Sequence, residues 1–205
     1  MNRKEFEKNC WNVYLAIEND FLSVEKFIAI DKKNYKTFSN EFTKQLLTIC
    51  GELDVQLKFL CKHINENSTS DKIKEYAQEL LANFPEINEF TIINKQNHLI
   101  EIQPWKNWTI SVSPNWWQDY QKVKHNRLDY DRVLNIYNYE KANLQNTFYA
   151  LAALFSIEML IYKKLSDDEH EELVIPARSS SIFTLKDWAN GQINLIDTIA
   201  FIGKT

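Results

Sequence analysis

The chain has 205 residues, of which 44% are hydrophobic and 25% are charged, a balance typical of a globular protein with one core. Its net charge of -4 argues against a dedicated DNA-binding domain, because such domains gain most of their affinity by neutralising phosphates. The three glycines, Gly51, Gly191 and Gly203, are too few and too far apart for a P-loop or a dinucleotide-binding fingerprint.

Apolar residues recur at helical spacing in the first half of the chain. The pattern predicts a first helix over about residues 3–30 and a second over about 39–66, with Ser39 as the N-cap of the second. A third helix is predicted over about 71–84, and Pro85 ends it. This part of the chain therefore indicates a helical bundle.

The pattern changes between Phe90 and Ile102, where two β-branched runs flank a polar turn. This arrangement predicts a small β-hairpin, near residues 90–102, inserted into the bundle. A fourth helix over about 114–127 and a long apolar helix over about 139–165 are then predicted, which gives a helical domain over residues 1–165.

The remaining residues, 166–205, differ from the helical domain in their pattern. The runs SIFTLKDW and INLIDTIAFI predict an irregular or strand-like C-terminal extension packed on the helices. The predicted fold class is therefore mainly α: a helical bundle with a small β-hairpin insertion and an irregular C-terminal extension.

The stretch SPNWWQDYQKVKHNR, Ser113 to Arg127, has the most unusual composition. On a helix, Trp116, Tyr120 and Val123 form one stripe, so we expect them to face the core, with Trp117 largely covered. One alternative is an exposed tryptophan on which a nucleic-acid base stacks. Another is a small-molecule pocket, with these candidate lining residues: Trp105, Trp108, Trp116 and Trp117.

The polar end of this stretch holds candidate catalytic residues, namely His125, Lys122, Arg127, Asp129 and Arg132. If the helix continues, Asp129 lies four residues after His125 on the same face and orients its imidazole. Lys122 and Arg132 then supply positive charge beside it, a set suited to metal-free phosphodiester cleavage. The alternative is that His125 and its neighbouring lysine only stabilise the C-terminal dipole of the helix.

A second polar feature is the pair Asp54 and Lys58, spaced four residues apart on the second helix. We expect a surface ion pair, and the alternative is a binding role in which Glu52 or Asp54 meets the basic end of the fourth helix. The four histidines are widely spaced and form no metal-binding motif, so no metal or other cofactor is predicted.

Three segments carry a resemblance to known proteins: FSNEFTKQLLTICGELDVQLKFLC, PNWWQDYQKVKHNR and EKANLQNTFYALAALF. Together they resemble a widespread group of bacterial helical proteins. More remotely, helices with a polar His/Arg end resemble the HEPN class, whose members often dimerise and include metal-independent ribonucleases of toxin–antitoxin and phage-defence systems. HEPN ribonucleases place a histidine a few residues after an arginine, whereas here His125 precedes Arg127 and Arg132.

The leading functional prediction is a bacterial interaction or regulatory module in stress or phage defence. Its expected partner is another protein or a second copy, joined through the alanine-rich face of the last helix; RNA is a further candidate partner. The alternatives are a HEPN-like ribonuclease centred on His125 and a small-molecule-binding protein. An odd number of cysteines, no apolar signal core and no long apolar run favour a cytoplasmic protein with no membrane span.

Overall fold

A computed structural model of the chain describes residues 1–172, 175–186 and 188. These residues form a mainly helical fold with small antiparallel sheets, so the predicted fold class is confirmed. The run INLIDTIAFI of the predicted extension lies outside the described residues.

The first half of the chain forms four α-helices: α1 (Arg3–Phe6), α2 (Asn12–Ser23), α3 (Asn40–Ile64) and α4 (Ile73–Asn83). A π-helical turn over Glu7–Trp11 joins α1 to α2, which makes the first two helices nearly continuous. The predicted first helix is therefore correct in place but ends earlier than expected. Ser39 caps α3 as predicted, because its hydroxyl accepts the N–H of Phe42 at 3.0 Å.

The second half holds α5 (Asn115–Asn126) and α6 (Leu144–Asp168). The last helix begins later than predicted because a 3-10 turn precedes it and Asn143 then provides its N-cap, accepting the N–H of Asn146 at 3.0 Å. The strands are short: β1 (Ile92–Asn94), β2 (Glu101–Ile102), β3 (Tyr130–Asp131), β4 (Ile136–Tyr137) and β5 (Phe183–Leu185).

The core forms where α3 and α6 pack against each other, with α2 and α5 beside them. Of the 25 residues of α6, 18 are buried, including Ala150, Ala152 and Ala153. The alanine-rich face of α6 is therefore used inside one copy of the chain. Since that face has no free surface, it cannot form the contact between two copies on which the homodimer prediction partly rested, and this reason for the prediction is wrong.

Helix α6 is also long and apolar enough to cross a membrane by length and composition. However, 83% of its most apolar window is buried inside the protein, as expected of the core helix of a folded domain.

The predicted hairpin between Phe90 and Ile102 is confirmed, with β1 antiparallel to β2 and Ile92 opposite Ile102. β5 then pairs with the other side of β1, with Ile93 opposite Thr184, and completes a three-stranded sheet in the order β2-β1-β5. The C-terminal segment therefore contributes a strand to the fold.

A buried carboxylate fixes the same segment to α2. Glu18 accepts hydrogen bonds from the Tyr14 hydroxyl at 2.6 Å and the Ser181 N–H at 2.7 Å, and also from the Ser180 hydroxyl. Lys95 donates to the Ser180 carbonyl at 2.7 Å. Because this carboxylate is surrounded by donors, it can stay buried and join two distant parts of the chain.

Candidate functional site

The apolar face of α5 is buried as predicted. Trp116, Tyr120 and Val123 face the core, and Trp117 is covered as well. The indole N–H of Trp116 donates to the Pro104 carbonyl at 2.7 Å, so its one polar group is satisfied inside the protein.

The remaining tryptophans of the predicted pocket also lie in the core. Ring centroids of Trp105 and Trp108 are 4.6 Å apart, and those of Trp105 and Trp116 are 5.6 Å apart. The Trp105 N–H donates to the Ser156 hydroxyl at 2.8 Å. Because Trp105, Trp108 and Trp117 are buried against one another or against α6, they offer no surface to a ligand, and the predicted tryptophan-lined pocket is not formed in the described part of the chain.

Trp116 borders an open cleft of about 580 Å³. The other side chains around this cleft are mainly polar, and they include Asn107, Asn115, Gln145 and Tyr149. The cleft therefore differs in chemistry from the aromatic pocket that the composition suggested.

The predicted catalytic face is not assembled, because α5 ends at Asn126. The Asn126 carbonyl accepts the Asp129 N–H at 3.0 Å and the side-chain amide of Asn138 at 2.9 Å, and the chain turns away there. Asp129 and Arg132 therefore do not extend the helix face of His125. The condition on which that catalytic face depended, a helix that continues past Arg127, is not met.

The contacts of the candidate residues also differ from the predicted set. The Asp129 carboxylate accepts from the Asn126 side chain at 3.1 Å, and Lys122 lies 3.2 Å from Asp131. His125 is exposed and borders a depression of about 370 Å³ with Lys124, Arg127 and Asp129. The structure thus brings a histidine and two cations together, but without a carboxylate that orients the imidazole.

The predicted pair on α3 is confirmed, with Lys58 Nζ 2.6 Å from Asp54 Oδ2. The other oxygen of Asp54 accepts the Tyr76 hydroxyl at 2.7 Å, which joins α3 to α4. Burial, and then this carboxylate, raise the pKa of the Tyr76 hydroxyl. Glu52 accepts from Gln56 at 2.6 Å, so both acidic residues have partners other than the basic end of α5.

A second, unpredicted hairpin follows α5. β3 and β4 pair with Tyr130 opposite Tyr137, and Asn135 in the turn has a φ of 57°, which asparagine tolerates better than most residues. The Tyr130 hydroxyl donates to the Asn135 side chain at 2.6 Å. The carboxylate of Asp131 accepts the N–H groups of Val133 and Leu134, so the turn has a defined shape.

Charge holds this hairpin against the bundle. Lys141, whose side chain is only 1% exposed, lies 3.0 Å from Asp131 and 3.5 Å from Asp119 on α5. The hydrogen bond from Lys141, assisted by the Leu134 N–H, holds the pKa of the Asp131 carboxyl well below its usual range. A charged network therefore attaches the hairpin to the bundle.

The outer surface of the hairpin is aromatic. Ring centroids are 5.0 Å apart for Tyr130 and Tyr137, 5.4 Å for Tyr137 and Tyr139, and 5.8 Å for Tyr139 and Phe38. We call these four residues the aromatic ladder; each is between 37% and 46% exposed. Three exposed aliphatic side chains lie on the same segment, namely Leu128, Val133 and Leu134.

A groove runs beside the ladder over the start of α3. Its central part has a volume of about 860 Å³, and its lining includes Phe38, Lys44, Leu47, Arg127, Leu128 and Tyr139. A concavity of about 530 Å³ next to Phe27 shares Ser39 and Lys44 with it, and the depression beside His125 shares Arg127 and Leu128. We call the three together the docking groove.

The cations of this surface are available for an external partner. Among the ion pairs of the described residues, none involves Lys124, Arg127 or Arg132, whereas Lys122 and Lys141 are both occupied by Asp131. Within residues 1–172, 175–186 and 188, no group of three His, Cys, Asp or Glu side chains is arranged to hold a metal ion.

Comparison with known proteins identifies no relative. No protein family, no curated protein and no solved structure matches this chain. Any functional conclusion therefore depends on the chemistry of the surface itself.

The sequence analysis missed the aromatic ladder because it assigned no element to residues 128–138, between the fourth helix and the last. A usable signal was present in the run DYDRVLNIYNY, where Asp and Asn residues flank a short turn between aromatic and β-branched residues. The exposure of these aromatics, however, depends on tertiary packing that no local pattern shows.

Proposed function

We propose that this protein is a non-catalytic interaction module that binds another protein through the aromatic ladder and the docking groove. The observation that carries the proposal is the concentration of exposed apolar side chains on one hairpin, from Leu128 to Tyr139, with Phe38 beside them. Contiguous exposed apolar surface with a charged rim is characteristic of protein interaction sites.

The residue types on this surface support the same proposal. Tyrosine and arginine are enriched where binding energy concentrates; the ladder holds three tyrosines, and one of them, Tyr139, lines the groove together with Arg127. The turn is already ordered by Asp131, so little conformational entropy is lost when a partner binds.

The proposed partner is a different protein that supplies carboxylates to Lys124, Arg127 and Arg132, which make no ion pair among the described residues. A homodimer stays a prediction from the HEPN resemblance, as does a role in bacterial stress or phage defence. Ribonuclease activity receives less support, because the predicted catalytic face is not assembled.

Site-specific photo-crosslinking tests the proposal in cells that express the protein. A photo-reactive phenylalanine at Val133, a turn residue that is 92% exposed, should give a discrete crosslinked product with one protein. Leu99 is the matched control, since it is 88% exposed in the turn between β1 and β2 and its N–H also bonds a side-chain oxygen. The same label at Leu99 should give no such product.

The captured protein is then purified and its affinity measured. We expect the Tyr137→Ser and Tyr139→Ser variants to bind at least tenfold more weakly, while Leu99→Ser binds like the wild type. Equal crosslinking from both positions, or full affinity in both tyrosine variants, would rule out the ladder as the docking surface. A product that contains two copies of this chain would instead establish the homodimer.

A further inference from the structure

The docking groove has a direction, because its two ends carry opposite charge. At one end, beside the exposed Phe27, the charged residues are Asp20, Glu41 and Lys44, and Lys44 is paired with Glu41 at 2.9 Å. At the other end the two cations Arg127 and Lys124 outnumber the single acid Asp129. The apolar side chains lie between these ends.

We infer that the docking groove binds an amphipathic segment of the partner whose acidic side chains lie at the Arg127 end. This inference rests on the proposed function and specifies the chemistry of the partner. Recognition would combine burial of apolar side chains against Leu47, Leu128 and Tyr139 with charge-assisted hydrogen bonds at Arg127.

The apolar floor explains why a segment of chain is the occupant. Phe38, Leu47, Leu128 and Tyr139 line the central part, and Phe27 continues the apolar surface toward the acidic end. A partner helix or strand that repeats apolar residues on one face matches such a continuous groove. A flat contact would leave this concave surface unfilled.

Arg127 explains why the segment is acidic. Its side chain is exposed, makes no ion pair within the described ranges, and borders both the central part and the basic end of the groove. A guanidinium binds a carboxylate through two parallel hydrogen bonds, which a lysine cannot do. Lys124 extends the positive field toward the same end.

Single-stranded RNA is the competing occupant, since exposed aromatics with nearby cations also bind nucleic acid. Two observations disfavour it. Leu128 and Leu134 place aliphatic groups, which do not stack with bases, on the same surface as the ladder. Asp20 and Glu41 would repel a phosphate backbone that continued along the groove.

A displayed library of random peptides, sorted on the purified full chain, tests the inference. We expect the enriched sequences to carry apolar residues at a regular spacing, with Asp or Glu concentrated at one end. Arg127→Glu should weaken the enriched peptides at least tenfold. Lys62→Glu makes the same charge change at an exposed position on the last turn of α3 and should leave the affinity unchanged.

Charge exchange strengthens the test. A peptide whose acidic residues are replaced by lysine should bind Arg127→Glu better than it binds the wild type. Circular dichroism and thermal unfolding of both variants establish that they are folded, as expected for exposed side chains.

Three results would overturn the inference. Enriched peptides that lose affinity with Tyr139→Ser but not with Arg127→Glu would leave the proposed function standing and refute the acidic partner. If the library yields no peptide whose binding depends on the groove, the groove is not a peptide site. The crosslinking at Val133 tests the proposed interaction surface independently of that result. Binding of a labelled 12-residue uridine RNA that Arg127→Glu abolishes would replace the peptide with RNA.

Discussion

Two aromatic regions of the molecule differ in their exposure to solvent. The tryptophan cluster (Trp105, Trp108, Trp116 and Trp117) is buried, and two of its indole N–H groups donate to oxygens inside the protein. The aromatic ladder is half-exposed, although its rings approach one another as closely as those of the cluster. Aromatic density alone therefore does not distinguish a core anchor from a binding surface; the neighbouring tertiary contacts decide.

The substitution that we expect to destabilise the protein most lies in the buried tryptophan cluster. Trp116→Ala removes a ring that contacts Trp105 and Trp117 and leaves the Pro104 carbonyl without its donor. We expect unfolding free energy to fall by about 3–5 kcal/mol, as for other buried tryptophans. Urea denaturation monitored by circular dichroism measures the loss.

The matched change on the exposed side is Tyr137→Ala. It removes a ring of similar chemistry whose outer face is already in water, so the free energy of unfolding should change far less than in Trp116→Ala. A Trp116→Ala protein as stable as the wild type would refute the anchor role. The exposed His125 offers a second check, because His125→Ala should also unfold close to the wild type.

The next prediction concerns the pH dependence of stability and Glu158, which lies two residues after Ser156 on α6. Its side chain is fully buried and neither carboxyl oxygen has a hydrogen-bond partner among the described residues. Burial, and secondarily Glu52, raise the pKa of this carboxyl well above its ordinary value of 4.5. At a pH between 4.5 and the folded-state pKa, the folded protein therefore keeps the Glu158 proton that the unfolded chain has released.

The sign of the pH dependence follows from this difference. Above pH 4.5 the unfolded state binds fewer protons at this site than the folded state, so stability falls as the pH rises toward the folded-state pKa. The loss reaches about 1.4 kcal/mol per pH unit at most. Glu158→Gln should remove it, which makes the variant more stable than the wild type at pH 7 by an amount that shrinks toward pH 4.

Urea denaturation from pH 4 to pH 8 compares the two proteins. Glu86→Gln, at an exposed acid, is the control and should follow the wild type throughout. Parallel curves for Glu158→Gln and the wild type would mean that Glu158 is ionised in the folded protein.

A modest gain in stability is expected from a substitution on α3. Gly51 is an exposed position inside α3, and a methyl group added there would meet no atom within 4 Å. Gly51→Ala should raise the free energy of unfolding by about 0.5–1 kcal/mol, because alanine loses less backbone entropy in a helix. A thermal unfolding midpoint below that of the wild type would contradict this account.

Local patterns predicted the parts of the fold that local interactions determine. The apolar stripe of α3, the Ser39 cap and the inward face of Trp116 all depend on spacing along one helix, and each is confirmed. The end of α5 near Arg127 was also predicted, but the tertiary contact that fixes the turn there was not. It depends on Asn138, whose amide reaches back twelve residues to the Asn126 carbonyl.

The candidate surface was the least predictable part. Lys141 would be placed on the surface by its residue type, yet it is buried between Asp119 and Asp131 and so sets the position of the hairpin. Its role requires three residues from separate elements to meet. A local sequence pattern does not show such a tertiary contact, so neither the position of the hairpin nor the exposure of the ladder could be predicted from it.

The carboxylate of Glu18 has a consequence for the order of folding. It joins Ser180 across 162 residues of chain, and β5 likewise pairs with β1 from far along the sequence. Closing so long a loop costs more entropy than forming the contacts between α3 and α4, which are neighbours in the chain, so we expect this helical pair to form before β5 docks. Disruption of Ser180 should then speed unfolding more than it slows folding, which stopped-flow measurements of both rates would test.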